Sequence, residues 1–216
     1  MKRYKIQLLV LALLCLNSSA TAQQSGATTT RTTTAAPQTT AAPQTSAQQT
    51  SAPASGFRAE FIRQHNDIAK KYVDLAEATP QEKFGWRPGE GVRSISEVYM
   101  HVAASNFAIL QAVGAKPPAG MDLRGLEKIT DKAKVVETLR QSVEAVRQAA
   151  TVMTDADLDK PAKLFGRDTT ARDVFLLLAT HMHEHMGQQI AYARMNNIVP
   201  PWTVARQAQG QPRREQ

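Results

Sequence analysis

Apolar residues recur along the middle of the chain with the spacing of amphipathic helices, in four segments. The first runs from about Phe57 to Ala78 and stops before Pro80. Phe61, Ile68, Tyr72 and Leu75 share one stripe, and His65 lies on the same line. The second begins after Ser94, with Glu97 three residues on as the partner of a capping box, and reaches about Val113 before Gly114. Its stripe reads Val98, His101, Val102, Ser105, Ala108 and Ile109. The third spans about Asp131 to Met153, with Val135, Leu139, Val143, Val146 and Ala150 inward. The fourth starts near Thr169 or Thr170, and Asn196-Asn197 and Pro200-Pro201 terminate it beyond Met195. Its inner line is Val174, Leu177, Leu178, His181, His185, Gln188, Tyr192 and Met195.

Four helices of this length, each with one apolar stripe, predict an all-α four-helix bundle. No valine- or threonine-rich run alternates with period two, so no strand is predicted. The inter-helix loops are long: Pro80 to Arg93, Ala115 to Thr130 and Thr154 to Arg167. Such connections permit crossovers and can cover one end of a bundle.

The flanks are of another kind. Lys2, Arg3 and Lys5 precede an apolar run from Ile6 to Leu16, and Ala20-Thr21-Ala22 offers a small-x-small cleavage site. Residues 1–22 are therefore predicted to be a signal peptide, and the mature chain to be secreted or periplasmic. Residues 23–56 consist mainly of Thr, Ala, Gln, Pro and Ser, with a repeated Ala-Ala-Pro-Gln-Thr, and are expected to form a disordered spacer. Residues 57–206 form the bundle domain, and residues 207–216 a flexible tail. The single cysteine, Cys15, lies in the leader, so the mature chain is left with neither disulfides nor thiolate ligands. Loss of Lys2, Arg3 and Lys5 reduces the formal charge from +7 to +4. The remaining charges of both signs are interspersed, which gives no nucleic-acid footprint. No later stretch is apolar enough for stable membrane insertion of the mature chain.

His181 and His185 stand four residues apart on the apolar face of the fourth helix, so their imidazoles stack one above the other. Two such rings can bind one divalent metal ion, and a third ligand from another helix would complete a site with open positions. His101, on the inner stripe of the second helix, is the best placed; a hydrogen-bonded core histidine is the alternative reading of each. His183 points about 200° away from His181 and is expected outside. His65 can be a hydrogen-bond donor behind a ligand, a catalytic base, a fourth ligand, or a ring bonded to a backbone carbonyl or water. Gln188, about one turn beyond His185, can bond to a ligand histidine or a bound water, and Tyr192 can wall the cavity; end-of-core packing is the plainer role for both. His181-Met182-His183-Glu184-His185 does not have the spacing of a zincin motif.

The run His181-Met182-His183-Glu184-His185-Met186-Gly187-Gln188-Gln189, followed by Tyr192-Ala193-Arg194 and Asn197-Ile198-Val199-Pro200-Pro201, resembles the closing pattern of the DinB-like (YfiT-like) metal-dependent hydrolase superfamily. Phe84-Gly85-Trp86-Arg87-Pro88, Gly91 to Ile95 and Glu97 to His101 resemble its other characteristic block. The likeness covers Phe57 to Trp202. It implies an up-down-down-up bundle, a metal site on His101, His181 and His185, nickel or zinc as the ion, and frequent homodimers. Relatives with known chemistry include transferases and isomerases that use low-molecular-weight thiols. The leader and spacer depart from those cytoplasmic relatives, and Asn196-Asn197 stands where glycine is usual.

Two functional classes follow. One is a metal-dependent hydrolase or transferase acting on an unknown small molecule, with His65 or Gln188 orienting the reacting group. The other is a non-catalytic secreted domain with a structural or vacant metal site. Phe175 and Leu176, beside the inner stripe, can serve either the core or a homodimer contact.

Overall fold

The computed structural model describes residues 53–210. The expected signal peptide, most of the expected spacer and the last residues of the expected tail lie outside the described residues. Among the described residues are four long helices, α1 (Gly56–Ala78), α2 (Ile95–Leu110), α3 (Lys132–Val152) and α4 (Ala171–Met195). A short α5 (Pro201–Ala208) follows, and β1 (Pro161–Leu164) pairs antiparallel with β2 (Arg167–Thr170). α1 packs against α3 and α4, and α2 packs against the same two. No helix among the described residues is long and apolar enough to cross a membrane.

The helix starts are set by local chemistry. Ser94 Oγ accepts from the Glu97 N–H while Glu97 returns a bond to the Ser94 N–H, the capping box expected from sequence. Two more free donors at this end are satisfied by the preceding loop: Ile95 N–H donates to the Trp86 carbonyl and Ser96 N–H to that of Phe84. Phe84 is fully buried, so this loop is fastened to the core and holds the start of α2 in place. Asp131 and Thr170 cap α3 and α4 through side-chain oxygens.

Two expectations are corrected. A hairpin occupies the loop read as strand-free, because Phe165 (φ 50°) and Gly166 (φ 80°) make a tight turn of the kind that joins short antiparallel strands. Ala162 and Leu164 face the core and Pro161 and Lys163 face solvent, an alternation too brief to read from sequence. The second correction is at Pro200-Pro201, expected only as a terminator. Pro201 is the first residue of α5, where its missing N–H costs nothing. α5 lies against α1, with Lys71 Nζ 5.8 Å from the Trp202 ring centre.

The core has two apolar clusters. One gathers Ile68, Tyr72, Val98, Val102, Leu139, Met182 and Met186, and the other Phe61, Ile62, Ile109, Val146, Val174, Phe175 and Leu178. At their boundary lie three buried polar side chains on three helices, His65, Asn106 and Ser142. Asn106 Nδ2 donates to Ser142 Oγ at 3.3 Å, while Asn106 Oδ1 and His65 Nδ1 have no partner among the described residues. The expected inward residues of α1 and α3 are all buried. Of the pair offered to core or dimer, Phe175 belongs to the core and Leu176 is 52% exposed.

Candidate metal centre

His101 from α2 and His181 and His185 from α4 converge, with one ring nitrogen of each within 4.8 Å of the others. Their ring centroids lie 4.6 to 5.2 Å apart. The two helices are brought together by buried bonds on either side. Gln189 Nε2 donates to the Ile95 carbonyl at 2.8 Å and ties the end of α4 to the start of α2. Tyr72 Oη donates to the Met182 carbonyl at 2.7 Å and anchors α4 beside His181.

The expectation of a site inside the core is corrected. All three rings are half-buried. The fully buried line of α4 runs through Leu178, Met182, Met186 and Gln189, and the histidines border it on one side. Met195, placed on the inner line by sequence, is 61% exposed, and Ala108 of α2 is exposed as well. The cluster therefore sits in a seam between α2 and α4 that reaches the surface.

The outward nitrogens are held by neighbours. His101 Nδ1–H donates to Glu127 Oε1 at 3.1 Å, and His185 Nδ1–H to Gln188 Oε1 at 2.9 Å. Both partners are acceptors, so both Nδ1 atoms carry the proton and each Nε2 carries a lone pair directed at the cluster. Gln188 is fixed in turn by donating to Tyr192 Oη at 2.8 Å, and the Tyr192 ring packs edge-on against Trp86. His181 Nε2 lies 3.3 Å from His101 Nε2, while its Nδ1 is buried without a partner among the described residues.

Glu127 escaped sequence reasoning. It stands in a short 3-10 turn (Leu126–Lys128) that packs on α2, and nothing in its 26-residue separation from His101 announces the contact. The carboxylate also accepts from Arg93, Nε to Oε2 at 3.0 Å and Nη2 to Oε1 at 3.3 Å. Burial pushes the Glu127 carboxyl up, but bonds from Arg93 and His101 outweigh this and hold it below the usual range. Burial, and then the Arg93 charge, lowers His101. Burial lowers His181 to about 4, with help from His185, His101 and Arg93. Rings that resist protonation keep their lone pairs for a cation.

The other histidines stand apart from this cluster. His183 is exposed, as expected, with Nδ1–H donating to the Ala179 carbonyl. His65 is 2% exposed, stacks on Phe61, and donates from Nε2 to the Val143 carbonyl at 2.8 Å. Of the roles open to it in sequence, the geometry is that of a ring bonded to a backbone carbonyl.

The residues present fit a metal ion. Three imidazoles from two helices each offer one ring nitrogen to a common point, the donor set of a three-histidine metal site. The three histidines can thus coordinate a divalent metal.

Among known proteins, the family model described as the DinB superfamily matches residues 64–189. The fold is similar to that of a DinB-like protein from Bacillus cereus ATCC 10987, with a TM-score of 0.59 and 19% identity over 65% of this chain and 93% of that one. A DinB-like protein from Bacillus subtilis gives a TM-score of 0.46 and 20% identity over 65% of this chain and 94% of that one. No curated protein matches the sequence.

Proposed function

This chain belongs to the DinB superfamily, and on that premise we propose that it is an exported metal-dependent hydrolase or transferase acting on a small molecule. His101, His181 and His185 hold the ion, nickel or zinc. The observation that carries this reading is the convergence of three imidazole nitrogens from two helices, with two of the rings clamped from behind by Glu127 and Gln188.

A metal in such a site supplies Lewis acidity, lowering the pKa of a water or thiol or polarising a substrate oxygen. The chain's own residues supply the rest. Glu127 and Gln188 are positioning residues that fix the tautomer and tilt of His101 and His185. Tyr192 and Trp86 keep Gln188 from rotating away. His65 acts at a distance as a buried fastening between α1 and α3. Three protein ligands in a surface-reaching seam leave coordination positions free, which favours an enzyme over a purely structural metal site.

Export rests on the basic start, the apolar run from Ile6 to Leu16 and the Ala20-Thr21-Ala22 site. It separates the domain from a cytosolic thiol, so hydrolysis is the better matched chemistry. The up-down-down-up order is supported by pairings along the helices. Phe61 meets Phe175 and Tyr72 meets Met182, so α1 and α4 run the same way. His65 pairs with Val143 and Arg58 with Ala150, so α3 runs against α1. Gln189 reaches Ile95 and His181 reaches His101, so α2 runs against α4. A homodimer, frequent in the family, would use the exposed Leu176.

Metal analysis tests the central claim. Protein loaded with nickel or zinc and then dialysed should keep about one ion per chain. His101→Ala, His181→Ala and His185→Ala should each lose it. Equal metal content in wild type and all three variants rejects the site.

A further inference from the structure

Three imidazoles are neutral ligands, and among the described residues no carboxylate joins them: neither Glu127 nor Glu184 belongs to the cluster. A divalent ion held there keeps its full charge. The carboxylate linked to the site, that of Glu127, already has its charge matched by the two-pronged bond from Arg93. The centre as a whole is therefore electropositive, and its complement is an anion.

Arg93 gives that anion a second point of attachment. Glu127 Oε1 accepts from both Arg93 Nη2 and His101 Nδ1, so the guanidinium lies two hydrogen bonds from a ligand ring. Nε and Nη2 are committed to Glu127, whereas Nη1 enters no hydrogen bond among the described residues, and the side chain is 43% exposed. The bond to Glu127 removes much of the freedom a surface arginine would otherwise lose on binding, so its unused edge is organised in advance. Arg87, on the same side of α2, is unlike it: both of its terminal nitrogens are spent, on the Val92 carbonyl and on Glu97.

Resting on the metal reading above, we infer that the substrate carries a carboxylate or phosphate group and that Arg93 grips it at the mouth of the three-histidine site. The group is held by hydrogen bonds and charge alone.

The test uses protein loaded with cobalt(II), whose visible absorption reports changes around the ion. Acetate and inorganic phosphate are titrated in, with acetamide as the uncharged comparison. Wild type should respond to one or both anions, the stronger response naming the group, and not to acetamide. In Arg93→Gln the half-saturating anion concentration should rise about tenfold, the value of a charge-assisted bond, with metal content unchanged. Arg93→Lys should fall between, because it keeps the charge and loses the fork.

Equal anion affinity in wild type and Arg93→Gln overturns the inference. So does loss of metal from Arg93→Gln, which would make Arg93 a support for Glu127 and nothing more. Failure of wild type to hold cobalt would instead reject the metal reading. In that event the NMR shifts of the Arg93 guanidinium on adding acetate decide separately, and unmoved signals sink the inference.

Discussion

Glu127 and Gln188 perform the same task on different rings, but one carries a charge and the other does not. Each accepts a hydrogen bond from an Nδ1–H and so turns an Nε2 lone pair toward the cluster. Removing such a support usually costs ten- to a hundredfold in metal affinity. Gln188→Ala and Glu127→Ala should both weaken zinc by about that range, read by competition with a chromophoric chelator; unchanged affinity in both would show that the rings orient themselves. His65 makes a different prediction. Burial holds its pKa below the ordinary histidine value in the folded protein, partly opposed by the Val143 carbonyl and Glu144. The unfolded chain therefore takes up the proton first. Stability should be complete above about pH 6.5 and fall as the pH drops below that toward the lower, folded value. His101 and His181 push the same way in metal-free protein. Urea unfolding of metal-free His65→Gln at about pH 7.5 and 5.5 should show a smaller loss than wild type; an equal loss would mean that His65 is protonated alike in both states.

At the level of helices and turns, the clearest test is the start of α2. Ser94→Ala removes one half of the capping box and should cost about 1 kcal/mol in chemical denaturation. The hairpin turn offers a gain. Phe165 is 72% exposed and sits at positive φ, which suits asparagine far better than a bulky side chain. Phe165→Asn should stabilise by up to about 1 kcal/mol, and a loss of stability would mean that the ring packs on something important. These two sites also show what could be read in advance. The four long helices were legible because each repeats its stripe over several turns, and α2, α3 and α4 also begin at a Ser, Asp or Thr cap. The hairpin was not, since two inward residues are too few to display a period. α5 was missed because proline was read as a stop, although the same residue opens a helix. The histidines were identified, but their depth was not. Met182 and Met186 each lie one residue beyond His181 and His185, so two parallel lines fit the same spacing, and sequence alone does not tell which is buried. Glu127 depends on how a loop closes over α2, which no local pattern encodes.

For the molecule as a whole, ligand binding and folding are linked, because the histidines of α2 and α4 meet only in the folded chain. Zinc at about a hundred times its dissociation constant should add roughly 2.7 kcal/mol. For a domain of this size that is a rise of some 5 to 10 °C in Tm, abolished by a chelator. The His101→Ala/His181→Ala/His185→Ala triple variant should show no rise, and an equal rise would place the ion elsewhere. The three polar groups at the boundary of the two apolar clusters have a separate consequence. Greasy stripes can slide past one another by a helical turn, about 5.4 Å, with little change in buried area. His65, Asn106 and Ser142 act against this as notches cut at one height, since a slipped helix would press them into hydrocarbon. Asn106→Leu with Ser142→Ala should leave the denaturation midpoint nearly unchanged while the amide NMR spectrum broadens or doubles. A single sharp spectrum would mean that the stripes find their alignment unaided.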